Sequence, residues 1–309
     1  MKILTTLKRR KRRFYKSLRL GAGVSILLSI GSYLGYLEIV EAKALDFLML
    51  LRGQQRSPEI VLVQIDDDAF EKLGERQPLP RSYIANLIDI VARGGARVIG
   101  LDVELKVPTV TADDERLLKA VEAADENGVS KVVPVFYVRP LKEDDKGMLF
   151  RRSPFFDQQL AGIAGFANAP VDVDGFIRQV PLTLRGSDGR VLPSLALAVA
   201  ARYAGYDSAS LESALNKSNE IRLNLPEWNR LDGKLRPDNT PFSFAAGETW
   251  RINFAGGRGS FASLPSGPLA QLAEAKVPLA ADNPFRGKIV LIGASFQESR
   301  DFIRRRTGF

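Results

Sequence analysis

A chain of 309 residues, 45% of them apolar, has material for one substantial core or at most two domains. Its formal charge of +8 sits at one end: nine of the 44 Lys and Arg residues precede Leu20, where there is no Asp or Glu, and the other 35 face 36 carboxylates. A near-neutral body argues against nucleic-acid binding, the absence of Cys excludes disulfides, thiol catalysis and Cys-bound zinc, and the absence of His excludes Ser-His-Asp chemistry, His-bound metal and a phosphoaccepting His.

The cationic run Lys8 to Arg13 is followed by Leu20 to Leu37, a stretch without charge. As a helix it spans about 27 Å, against a hydrocarbon thickness of about 30 Å. The pattern predicts a cytoplasmic basic tail over residues 1–19 and a transmembrane helix over residues 20–40, with Glu38, Glu41 and Asp46 on the outer flank. A cleavable signal peptide is the rival, through the small-x-small pattern of Ala42, Lys43 and Ala44, but the apolar run is longer than such peptides use. The expected location is the inner (plasma) membrane, crossed once, with the amino terminus cytoplasmic and the main domain extracytoplasmic. The lipid bilayer is thereby one partner. Gly21, Gly23, Gly31 and Gly35 would let two such helices approach, so a homodimer or a partner receptor is another.

Beyond the membrane segment, Leu45, Phe47, Leu48 and Leu51 continue a helical stripe that Gly53 to Pro58 breaks. Glu59 to Ile65 (EIVLVQI) predicts a buried strand ending in Asp66, Asp67 and Asp68, then a short helix and a Pro-rich turn. Ser82 is placed as the cap of a helix whose Ile84, Leu87, Ile88 and Val91 repeat at helical spacing until Gly94 and Gly95. Ala96 to Val103 reads as a second strand, Asp113 to Ala124 as a helix and Lys131 to Val138 as a third strand. This alternation favours a parallel sheet covered by helices. In the second half, Gly165 to Ala169, Gly175 to Arg185, Glu220 to Asn224 and Thr249 to Phe254 read as strands, several of them antiparallel, and Pro193 to Ala204 as a helix. Lys288 to Ala294 (KIVLIGA) returns to the central sheet. The predicted fold is α/β: an amino-terminal transmembrane helix, then a mixed, partly parallel sheet flanked by helices, with residues 42–303 as one extracytoplasmic domain.

Asp66, Asp67 and Asp68 close the first strand, and Asp102 and Glu104 the second. Carboxyl ends of strands in an open α/β sheet form the crevice where ligands bind. A ligand crevice is therefore expected around Asp66, Asp67, Arg81 and Asp102, with Asn253 joining it, and its mixed charge suits a small polar ligand. The plainer alternative is that these carboxylates cap helices or pair with Arg81 and Arg97. VLVQIDDD and VIGLDV imitate a phosphoacceptor receiver, but only one full helical segment separates Asp66 from Asp102. Asp172, Asp174 and Gly175 (DVDG) imitate a calcium loop without its later acids, so a turn is expected. Neither a metal nor a cofactor is expected.

Taken in order, Ala44 to Arg52 (ALDFLMLLR), Ile60 to Asp68 (IVLVQIDDD), Pro78 to Ser82 (PLPRS), Gly95 to Val103 (GARVIGLDV), Gly165 to Leu182 (GFANAPVDVDGFIRQVPL), Pro193 to Ala198 (PSLALA), Arg251 to Gly256 (RINFAG) and Gly287 to Ser295 (GKIVLIGAS) make a pattern. The chain resembles the second type of cyclase/histidine-kinase-associated sensory extracellular domain, CHASE. The resemblance implies an extracytoplasmic sensor of a bacterial signal-transduction receptor that answers an unidentified small-molecule or envelope signal. Its output would be a cyclase, kinase or diguanylate cyclase, and no motif of those enzymes is present, so no enzymatic activity is expected. After Glu298 to Phe302 (ESRDF) the family pattern is lost: residues 304–309 are a divergent end, and either a receptor truncated there or a stand-alone sensor is expected. Two other readings remain, a metal-dependent hydrolase using Asp66, Asp67 and Asp102, and a structural envelope protein that binds partners.

Overall fold

The computed structural model of the chain describes residues 2–33, 36–103, 105, 108–126, 129–136, 138–140, 150–152, 163–172, 174–186, 189–224, 242–257 and 259–296. Glu104 and the divergent end, residues 304–309, lie outside them. The chain divides into two units, Met1–Gln55 with Phe254–Gly257, and Arg56–Asn253 with Arg258–Phe309.

The first unit holds α1 (Lys2–Tyr33) and α2 (Tyr36–Arg52). Gly53, at φ 74°, ends α2, and its N–H donates to the Leu50 carbonyl at 3.1 Å. Arg52 Nη2 donates to the Phe254 carbonyl at 2.7 Å, and Gln55 N donates to the Ala255 carbonyl at 2.6 Å. Among the described residues no helix is long and apolar enough to cross a membrane, so the transmembrane helix expected over residues 20–40 is not found. Among its described residues the uncharged part of α1, Leu20 to Tyr33, contains Gly21, Gly23, Ser25, Ser29, Gly31 and Ser32, which dilute its hydropathy. Leu34 and Gly35, which would prolong the run, lie outside the described residues.

In the second unit the strands are β1 (Ile60–Ile65), β2 (Val98–Asp102), β3 (Asp125–Glu126), β4 (Val129–Ser130), β5 (Val132–Phe136), β6 (Val138–Pro140), β7 (Phe150–Arg152), β8 (Gly165–Phe166), β9 (Gln179–Pro181), β10 (Thr183–Arg185), β11 (Val191–Pro193), β12 (Glu220–Leu223), β13 (Phe242–Ala245), β14 (Thr249–Arg251), β15 (Ala262–Pro265) and β16 (Ile289–Ala294). The helices are α3 (Asp67–Lys72), α4 (Arg81–Arg93), α5 (Thr111–Ala123), α6 (Leu195–Tyr203), α7 (Ser208–Asn216) and α8 (Ser266–Glu274). Six strands form one sheet in the order β15-β1-β16-β2-β5-β8, and every pairing in it is parallel. Among the described residues antiparallel pairing, expected within a mixed sheet, is confined to separate ladders such as β10–β11, β12–β13 and β9–β14.

The strands are apolar on both faces because both faces are covered. Val61, Val63 and Ile65 of β1, Ile99 and Leu101 of β2 and Val290 and Ile292 of β16 join one core with α3, α4, α5 and α8. The alternate residues Val98, Val133 and Ile289 join a second core with α6, α7, β12 and β13. The connections from β1 to β2, from β2 to β5 and from β15 to β16 all step the same way along the sheet, so right-handed crossovers place α4, α5 and α8 on the same face.

Two glycines let the second layer approach closely. A Cβ on Gly165 would lie 2.4 Å from Leu195 Cα and 2.5 Å from Leu195 N, so β8 and the start of α6 meet backbone to backbone. A Cβ on Gly100 would lie 2.5 Å from Leu291 Cδ2 and 3.1 Å from Val199 Cγ2. Ser194 caps α6, accepting from Leu197 N. Ser82 does not cap α4: the cap position is Pro80, without a side-chain cap, and Ser82 falls inside the first turn. The expected strand Gly175 to Arg185 is two short ones, because its first part pairs with β14 and its second with β11.

Candidate functional site

Six parallel strands deliver their carboxyl ends to one edge. Asp66 follows β1, Ser266 follows β15, Ser295 follows β16, and Asp102 ends β2. Gly293 is in register with both Gln64 and Asp102, so Asp102 is level with Gln64 and Asp66 lies two residues further along its own strand. β16 stands between β1 and β2, which are therefore about 10 Å apart at this edge.

Each residue expected in the crevice has a definite place. Asp66 is extended (φ −86°, ψ −179°), and its Oδ1 accepts from Ala69 N at 3.0 Å, capping α3. Asp67 and Asp68 occupy the first turn of that helix and are exposed, where negative charge suits the helix dipole. Arg81 opens α4 and is 1% exposed; its Nε lies 3.7 Å from Asp114 Oδ1. Asp114 also accepts from Thr109 N at 2.7 Å and from the Thr109 hydroxyl at 2.8 Å, which fixes the entry to α5. Burial lowers the Arg81 pKa, and Asp114 opposes that shift. A guanidinium this deeply enclosed ties α4 to α5 and is not the first group a ligand from solvent meets. Asp102 is exposed. Asn253 is exposed too, but lies two residues beyond β14, whose partner is β9, outside the six-stranded sheet. The structure thus brings Asp66, Asp67, Arg81 and Asp102 to the carboxyl edge and sets Asn253 on a different ladder. Arg97, the other expected partner of the acids, has its guanidinium 4.3 Å from the centre of the Tyr203 ring.

Behind the rim lies a polar layer that sequence reasoning missed. Tyr83 and Ser266 share a hydrogen bond of 2.7 Å between their hydroxyls, joining α4 to α8. Asn86 Nδ2 donates to Glu274 Oε1 at 3.0 Å, and Arg116 Nη2 donates to Asn86 Oδ1 at 2.6 Å, which links α8, α4 and α5. Burial raises the Tyr83 pKa; the hydrogen bond to Ser266 pulls the other way, and the carboxylates of Asp66 and Glu274 add to the rise. The only local signal was that Tyr83 and Asn86, three apart, flank the apolar stripe of α4. Their partners are 183 and 188 residues away, beyond the reach of any local pattern.

The edge can offer hydrogen-bond acceptors from Asp67 and Asp102 in front of a closed polar layer. Among the described residues no group of three or more Asp, Glu, Cys or His is placed to hold a metal ion. At the DVDG turn, Arg178 binds the acids: Nη1 donates to Asp172 Oδ2 at 2.7 Å and Nη2 to Asp174 Oδ2 at 2.8 Å. Gly175 turns the chain there at φ 83°. No curated protein and no solved structure is detectably similar to the chain. A family model, the CHASE2 domain, matches residues 22–307, nearly the whole chain. That span takes in the six parallel strands and their carboxyl edge, and on it the chain belongs to the CHASE2 domain family, sensory extracellular domains of signalling receptors.

Proposed function

We propose that this chain is the extracytoplasmic sensory portion of a bacterial signal-transduction receptor, without catalysis of its own, and that its output domain lies elsewhere. The family match over residues 22–307 carries this reading. The signal is read at the carboxyl edge of the parallel sheet by a small polar or cationic ligand. Asp67 and Asp102 contact it, while Asp66 and Arg81 hold the ends of α3 and α4 in place. A ligand bound there acts by favouring one arrangement of these helix ends over another, since only differential binding shifts an equilibrium. Anchorage of residues 1–40 in the membrane belongs to the same proposal and rests on sequence: nine basic residues before Leu20 and the uncharged run from Leu20 to Leu37.

A topology reporter tests the location. Alkaline phosphatase, active only outside the cytoplasm, is expected to work when fused after Phe309 and to be silent when fused at Lys16. The reverse pattern removes the reading. Calorimetric titration with Mg²⁺ or Mn²⁺, paired with a hydrolase screen, tests the claim about catalysis. Metal binding together with turnover that disappears in Asp102→Ala would establish the metal-dependent hydrolase instead.

A further inference from the structure

α2 has two opposed faces. Ala42, Leu45, Asp46 and Met49, at the three-and-four spacing of one helix face, are partly buried. On the other side, Val40, Ala44, Phe47 and Leu51 repeat at intervals of four, three and four, and all are exposed. Leu48 and Leu50 widen this second stripe on either side. The large side chains are 58–78% exposed: Val40 63%, Phe47 59%, Leu48 58%, Leu50 78% and Leu51 68%. That spacing matches the a and d positions of a two-helix coiled coil.

We infer that this stripe is a self-association surface, on which α2 of a second copy of the chain packs in parallel along Val40, Ala44, Phe47 and Leu51. Area and charge favour that occupant. At roughly 100 Å² of exposed apolar surface each, five large side chains offer about 500 Å² per copy, and a pair then buries about the 1,000 Å² that a specific interface needs. A lipid surface is the competing cover, and the charges of α2 disfavour it. The sequence of α2 has Glu38, Glu41 and Asp46 against Lys43 and Arg52, a net charge of −1, whereas helices lying on anionic bilayers carry an excess of Lys and Arg. Immersing it in hydrocarbon would bury those same carboxylates. Both copies hold α1 at the same end of α2, so anchorage on one membrane makes the pair parallel; the orientation, though not the stripe, rests on the proposed location.

The chain has no native Cys, so single cysteines can be introduced one at a time into the full chain, in the membrane fraction of the expressing cell, and oxidised. Disulfide-linked dimer is expected to peak at V40C, A44C, F47C and L51C, at least threefold above A42C, L45C and M49C. Adding F47E and L51E to the A44C background should lower its cross-linking more than tenfold with the melting temperature of the second unit unchanged. A profile without that periodicity overturns the proposal, as does cross-linking confined to A44C and F47C, which marks an antiparallel pair. So does a F47C residue that forms no dimer yet is shielded from a water-soluble maleimide only when vesicles of anionic lipid are present, which places the stripe on lipid. None of these results alters the reporter pattern by which the location is judged.

Discussion

Gly165→Ala measures how closely α6 rests on the sheet. Its Cβ would fall 2.4 Å from Leu195 Cα, 2.5 Å from Leu195 N and 2.7 Å from the Ser194 carbonyl carbon. All three are backbone atoms, so no rotamer change relieves the overlap, and the start of α6 has to retreat by about 1 Å to reach ordinary contact. The Ser194 cap and the Phe166 to Ser194 bridge move with it. Overpacking costs about 1–3 kcal/mol, and an obstruction of backbone alone belongs at the upper end, about 3 kcal/mol. For a domain of this size that is a fall of roughly 6–12 °C in Tm. Gly100→Ala meets only the ends of Leu291 and Val199, which can turn aside, and should cost about 1 kcal/mol. Gly267→Ala, on α8 with nothing within 4 Å, should leave Tm unchanged or raise it slightly. Differential scanning calorimetry of the three variants gives the ranking. A Gly165→Ala protein melting within a degree of wild type would show that α6 does not touch β8 in this way.

Three further perturbations address the carboxyl edge. Asp66→Ala removes the acceptor of Ala69 N and should cost about 1 kcal/mol in urea unfolding, whereas Asp66→Asn keeps a capping oxygen and should stay within a few tenths. Asp114→Ala leaves the Arg81 guanidinium buried beside a lost carboxylate and should cost about 3 kcal/mol, more than Arg81→Met, which removes the buried charge itself; equal losses would show that the pair does not govern the site. Tyr83 has its pKa raised in the folded state, so the unfolded chain releases that proton first: its contribution is complete below the ordinary tyrosine pKa of about 10 and is lost as pH rises through the folded value. Urea midpoints should therefore fall from about pH 10 upward, and Tyr83→Phe should flatten that slope.

Where a segment is apolar and its neighbours are close in sequence, the fold could be read in advance. EIVLVQI, ARVIGLDV and KIVLIGA became β1, β2 and β16, shorter by a residue or two at their ends, and the helical spacing of Ile84, Leu87, Ile88 and Val91 marked α4. The edge strand β15 was not legible: Ala-Ser-Leu-Pro has neither alternation nor bulk, and parallel pairing with β1 alone makes it a strand. Lys131 to Val138 read as one strand, yet β5 joins the main sheet while β6 pairs with β7. Distant partners decide such breaks. At the site, Asp66 and Asp102 were visible because acids follow apolar strands, and the cap that Asp66 makes was foreseen as the plainer alternative. The uncharged run from Leu20 was equally visible, yet among the described residues, which omit Leu34 and Gly35, no helix is long and apolar enough to cross a membrane. The layer of Tyr83, Asn86, Arg116, Ser266 and Glu274 had no such marker, since it exists only once α4, α5 and α8 are stacked on one face of the sheet.

β16, last in the chain among the described strands, is inserted between β1 and β2. Ser295 N donates to the Ile65 carbonyl at 2.8 Å across a separation of 230 residues. During synthesis the first two strands thus have no shared partner until nearly 300 residues have left the ribosome, and contacts of this range are slow to form. A chain secreted before that moment crosses a translocon without a finished sheet to unravel. Truncation ahead of Ile289 would take the keystone rather than the rim. The same placement sets the end of β16 between the ends of β1 and β2, so anything that changes the spacing of Asp66 and Asp102 bears on that strand first.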